Sequence, residues 1–98
     1  MRALLLIALV ACGSSKPVKP DIDATRAIET LKSYAERCLA CNNEKACVQV
    51  LRDEYDPYKR RLFKSRESYA PGEQSSFDNQ FGQFALCGDA AGVTIWKN

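Results

Sequence analysis

The stretch Cys38-Leu39-Ala40-Cys41-Asn42-Asn43-Glu44-Lys45-Ala46-Cys47 decides the fold of this chain, because one helical pattern stops inside it and another starts. From Asp23 to Cys41 the apolar positions Ile28, Leu31, Ala35, Cys38 and Leu39 recur at steps of three and four, with Arg26, Glu29, Lys32, Glu36 and Arg37 between them. That period is the mark of an amphipathic helix, and Asp21 or Asp23 can cap its start. Asn42-Asn43 interrupts it. Asparagine tolerates the left-handed conformation that ends a helix and can also serve as the next N-cap. The pattern resumes from about Glu44 to Ser65 with Cys47, Val50, Leu51, Tyr55, Tyr58, Leu62 and Phe63. The quoted stretch therefore reads as the turn of an αα-hairpin.

Pro57 falls inside the second helical pattern. A proline there lacks the N–H that would bond Asp53 and crowds that carbonyl, so a kink or break is expected near Tyr55 to Tyr58. Ser68 to Ser76, with Pro71-Gly72, reads as a loop. A third helix is expected after it: Ser75 or Ser76 can cap the start, Ser75 and Asp78 have capping-box spacing, and Phe77, Phe81 and Phe84 form one stripe. Gly88 is the expected stop. The tail Val93 to Trp96 is too short for an independent strand and is expected to lie across the bundle, with Trp96 as a lid on the core. The fold class that follows is all-α: a small three-helix domain made of a disulfide-stapled hairpin plus a third helix.

At the other end, Met1-Arg2 leads into the apolar run Ala3 to Val10, too short to span a bilayer but suited to the core of an export signal. The run ends in Leu9-Val10-Ala11-Cys12, which resembles a bacterial lipobox, with an aliphatic residue at minus three, a small one at minus one and cysteine at plus one. The resemblance implies that residues 1–11 are a signal peptide, that the Cys12 thiol becomes a diacylglyceryl thioether, and that the freed amine is acylated with a fatty acid such as palmitate. Gly13-Ser14-Ser15-Lys16-Pro17-Val18-Lys19-Pro20 then reads as a tether, so residues 12–20 are expected to be a lipidated flexible segment and 21–98 the helical domain. Aspartate at plus two often retains such lipoproteins at the inner membrane, and Gly13 implies the outer membrane, facing the periplasm. The part after the signal is similar to small cysteine-bearing helical lipoproteins of delta-proteobacterial type, a likeness that implies no known activity.

With Cys12 lipidated, four cysteines remain, an even count in an exported domain small enough to need staples. If the helices run up, down and up, Cys38, Cys41, Cys47 and Cys87 all collect at one end. Cys38 lies on the apolar stripe and Cys41 at the turn, which favours Cys38 with Cys87 and Cys41 with Cys47. Cys38 with Cys47 is the strongest rival. Cys38-Leu39-Ala40-Cys41 has the CxxC spacing of thiol oxidoreductases, but that motif opens a helix in them and closes one here. A haem attachment site lacks its histidine, since Asn42 follows. A four-cysteine zinc site would have uneven spacing, and export favours oxidation over thiolate ligation. No metal and no cofactor is expected.

Composition removes further classes. The chain of 98 residues has no histidine, hence no Ser-His-Asp arrangement, and no glycine-rich phosphate loop. Asp53, Glu54 and Asp56 read as a solvated helix face rather than a catalytic carboxylate pair, so catalysis is not expected. Cleavage before Cys12 would remove one of the 14 Lys and Arg residues and none of the 12 Asp and Glu, leaving near neutrality. No nucleic-acid partner is expected. The densest single-sign cluster is Lys59, Arg60, Arg61, Lys64 and Arg66, interleaved with Tyr58 and Phe63. It is the candidate binding surface for an envelope protein or an anionic envelope component. The function expected is a lipid-anchored interaction module of the cell envelope. The alternative is a structural or thiol-redox envelope protein using Cys38 and Cys41.

Overall fold

The computed structural model describes residues 20–96. They form three helices, α1 (Ala24–Ala40), α2 (Lys45–Arg66) and α3 (Pro71–Ala90), and no strand forms among the described residues. The expected signal peptide, the expected lipidation site Cys12 and nearly all of the expected tether lie outside the described residues. Asp23 caps α1, its Oδ1 accepting the Arg26 N–H at 2.9 Å. Asn42 and Asn43 both take the left-handed conformation, with φ of 54° and 61°, so the turn uses both for chain reversal. Glu44, not an asparagine, therefore stands at the N-cap position of α2.

Three features differ from the sequence reading, each for a physical reason. α2 runs unbroken from Lys45 to Arg66 through Pro57, which lies exposed on its surface. The helix is held on its other side by Leu51, Tyr55 and Leu62, and that burial outweighs one missing backbone bond. α3 starts at Pro71 rather than near Ser75. Proline suits the first helical position, where its missing N–H costs nothing, and Glu73 Oε1 accepts the Ala70 N–H at 2.9 Å. Asp78, placed in a capping box by its spacing, instead lies inside the helix.

The third difference is at Gly88, which sits inside α3 while the helix ends at Ala90. The end is a Schellman motif: Gly92 takes φ of 80°, the Val93 N–H donates to the Gly88 carbonyl at 2.8 Å, and the Gly92 N–H donates to Asp89 at 3.0 Å. Gly88 has another purpose. A β-carbon there would stand 2.4 Å from Ile95 Cγ1 and 2.7 Å from the Val93 carbonyl oxygen, so its absence lets the tail lie directly on the helix. Val93 and Ile95 are the buried residues of that tail, whereas Trp96 is 53 % exposed and is not the lid expected.

Both bridges form as the helix layout favours, Cys38 with Cys87 and Cys41 with Cys47. They lie at one end of a bundle in which α1 and α3 run parallel and pack most extensively, with α2 antiparallel beside them. Ala27, Ala35 and Ala85 are buried in the core, where small side chains permit a close approach of helices. Successive helical residues turn by about 100°, so drawing Cys38 and Cys87 inward turns their neighbours out. Leu39, assigned to the stripe, is accordingly 64 % exposed, and Leu86 is 70 % exposed; Val50, next to buried Leu51, is 58 % exposed.

Aromatic rings fill the middle of the bundle. Tyr34 stacks on Phe84 at 5.4 Å between centroids, Tyr55 meets Phe84 edge-on at 5.3 Å, and Phe63 meets Phe77 and Phe81 edge-on at 5.2 and 5.0 Å. Tyr55 is wholly buried, and its hydroxyl has no hydrogen-bond partner among the described residues. An unpaired buried hydroxyl carries a desolvation cost, so Tyr55→Phe is expected to raise stability by about 1 kcal/mol in denaturant titration. Burial, then the charge of Asp56 and the neighbouring Tyr34, pushes the Tyr55 phenol above its ordinary value of about 10. The folded state thus prefers the neutral phenol: this contribution is intact below pH 10 and is lost as rising pH ionises the unfolded chain first. Tyr55→Phe should therefore also flatten the loss of stability above pH 10, and an unchanged alkaline slope would count against this account.

Candidate functional site

The basic run of α2 does not form one face. Helical register sends its members in three directions, and the ion pairs around α2 follow that division. Arg66 and Phe63 turn toward α3: Arg66 Nε and an Nη donate to the two Asp78 carboxylate oxygens at 2.7 and 2.6 Å, and Phe63 packs between Phe77 and Phe81. The Asp78 hydrogen bond raises the Arg66 guanidinium above its ordinary range. Arg60 and Lys64 turn outward, exposed, with Asp56 and Glu67 on the same side of the helix. Lys59 and Phe63 border a shallow surface hollow with Asp56 and Arg60. Tyr58 and Arg61 turn toward α1. Of the seven candidate residues Tyr58, Lys59, Arg60, Arg61, Phe63, Lys64 and Arg66, the structure thus brings Lys59, Arg60 and Phe63 together at that hollow and places Tyr58 with Arg61 beside α1, while Arg66 pairs across to α3.

A better-formed recess lies between α1 and the C-terminal half of α2. It encloses about 430 Å³ and is lined by Asp21, Ile22, Arg26, Thr30, Tyr34, Tyr58, Arg61 and Leu62. Arg26, Thr30 and Tyr34 follow one another at steps of four, so one side of α1 supplies them all. From α2, Tyr58 and Arg61 occupy the rim and the buried Leu62 the floor. A second, more open hollow shares Arg26, Thr30 and Tyr34 with it and reaches along α1 past Ser33 to Arg37.

At that far end Arg37 makes a bidentate pair with Glu54, at 3.2 and 3.0 Å, while its guanidinium carbon stands 5.6 Å from the Tyr34 ring centre. The hydrogen bond to Glu54 raises Arg37 above its ordinary range. Burial, then Glu54, raises the Tyr34 phenol, with Arg37 opposing them, so Tyr34 stays a neutral hydroxyl. Two glutamate oxygens therefore already engage Arg37. Arg61, by contrast, has a looser contact, with Nε 3.8 Å from Asp21 Oδ2 and both side chains more than half exposed.

The entering chain is fixed beside the recess. The Ile22 N–H donates to the buried Ser65 hydroxyl at 3.2 Å, and the Tyr69 hydroxyl donates to the Ile22 carbonyl. Burial, partly opposed by the Ser65 hydrogen bond, raises the Tyr69 phenol and keeps it a donor. These bonds hold Asp21 and Ile22 where they wall the recess, at the end of the bundle opposite the disulfides.

Arg26, Thr30, Tyr34 and Asp21 escaped the sequence reading as site residues. Their spacing of four was visible, but the apolar stripe of the same helix dominated its pattern, and the Arg61 and Tyr58 opposite them come from another element. Among the described residues no three His, Cys, Asp or Glu side chains gather as metal ligands, and no helix is long and apolar enough to cross a membrane. Comparisons with family models, curated proteins and solved structures find no match to this chain.

Proposed function

We propose that this chain is a lipid-anchored binding module of the cell envelope, held through Cys12 and facing the periplasm from the outer membrane. The observation that carries the reading is the use of Cys38, Cys41, Cys47 and Cys87 in two bridges, which stiffen a three-helix frame around a polar and aromatic recess. The rival thiol-redox reading needs Cys38 and Cys41 to act together. Each is bonded elsewhere, and Cys38 is wholly buried. A stiff frame suits recognition, since little conformational freedom remains to be lost on binding.

Two measurements test this. Cys12→Ala is expected to move the protein from the membrane fraction to the soluble or misprocessed fraction and to remove the mass of the acyl chains. Thiol titration of native protein taken from the periplasmic face should find no reactive cysteine until the protein is unfolded with reductant present. Unchanged partition and mass would overturn the anchor; rapid labelling of Cys38 and Cys41 would favour the redox alternative.

A further inference from the structure

We propose that the recess between α1 and α2 binds a phosphate ester, with Arg26 and Arg61 as its cations and Asp21 as an internal carboxylate that the phosphate displaces. This narrows the binding-module reading and rests on it. The recess brings two guanidinium groups together with the Thr30 and Tyr58 hydroxyls over a floor of Ile22 and Leu62. Guanidinium forks and hydroxyl donors match a group with several acceptor oxygens: a phosphate monoester offers three terminal ones and a diester two, set around a tetrahedral centre rather than in the single plane of a carboxylate. Its volume falls within the range of small-ligand sites.

Asp21 is the second observation. Its carboxylate rests near Arg61 at 3.8 Å, too long for a good hydrogen bond, while both partners stay largely in solvent. An exposed pair of this kind is weak, and a better-fitting anion displaces it at little cost. Asp21 has no part in capping α1, which is the task of Asp23. The recess lies where the chain enters the bundle, so a lipid on Cys12 would hold it near headgroups, with the amphipathic Tyr58 ring at its rim.

The test uses the full chain in neutral alkyl-glycoside micelles, which contain no phosphate, with the Arg Nε–H resonances followed by NMR. One arm adds glycerol 3-phosphate; the other adds phosphatidylglycerol to the micelles; acetate is the carboxylate control. The Arg26 and Arg61 signals are expected to shift with saturation in at least one phosphate arm, and the arm that saturates at lower concentration identifies the source as free ester or lipid headgroup. Arg26→Gln and Arg61→Gln should each weaken binding about tenfold, and Asp21→Asn should tighten it about threefold. Arg60→Gln with Lys64→Gln, which removes outward charges from the same helix, should change it less than twofold. The assignment is overturned if neither arm shifts Arg26 and Arg61, if acetate binds as well as phosphate, or if the Arg60 and Lys64 variant loses as much as the recess variants. If it fails while Cys12 is acylated and the thiols stay bonded, the ligand assignment falls and the anchored-module reading stands.

Discussion

Replacing Cys38 and Cys87 together by alanine is expected to destabilise the protein by about 4 kcal/mol, twice the effect of the same change at Cys41 and Cys47. The bridges close loops of very different length, with sequence separations of 49 and 6. Confining the unfolded chain costs it more entropy when the loop is long, which gives about 4 kcal/mol for the first bridge and about 2 kcal/mol for the second. Small domains have stabilities of about 5 to 15 kcal/mol, so loss of the long bridge should lower the melting temperature by roughly 20 °C. The first bridge also ties the parallel helices α1 and α3, which no short turn connects. Denaturant titration of the two double variants reads the difference, and a larger loss at the hairpin bridge would overturn the loop-entropy account.

The second large effect is a change of sign within one helix. Gly88→Ala is expected to destabilise by about 1 to 3 kcal/mol, because the new β-carbon would meet Ile95 at 2.4 Å and the Val93 carbonyl oxygen at 2.7 Å. One of those neighbours is backbone held by its own helix-ending motif, so the tail must lift and expose Val93 and Ile95. Gly82→Ala, six residues earlier in α3, meets nothing within 4 Å and should stabilise by about 0.5 to 1 kcal/mol, since alanine is the better helix former. Paired melting curves decide it. Equal shifts in one direction would mean that helix propensity, and not contact with the tail, governs both positions.

Several features of the fold were legible in the residues because their causes are local. Three-and-four spacing marked the helices, and Asn42-Asn43 marked the reversal because asparagine accepts positive φ. The number and placement of helices then confined four cysteines to one end, which made the observed pairing the favoured one while Cys38 with Cys47 stayed close enough to compete. The misread boundaries show where local cues conflict. Pro57 carries a strong breaking signal, but burial of Leu51, Tyr55 and Leu62 acts on the whole helix and overrides it. Pro71 can open a helix as readily as end one, and only the Glu73 contact with Ala70 decides which.

By itself, then, the sequence determined three helices, a hairpin turn and the helical positions of four cysteines, all properties of residues close together along the chain. Tertiary structure alone decided which charges share a surface. Lys59 to Arg66 look like one patch in a line of letters, yet a helix distributes neighbours around its axis, and Arg66, Arg60 and Arg61 end in three environments. The recess is the converse case: Asp21, Arg26 and Tyr34 meet Tyr58 and Arg61 only because α1 and α2 fold back against each other. Gly88 likewise reads as a helix stop until the returning tail supplies the atoms that a side chain there would strike.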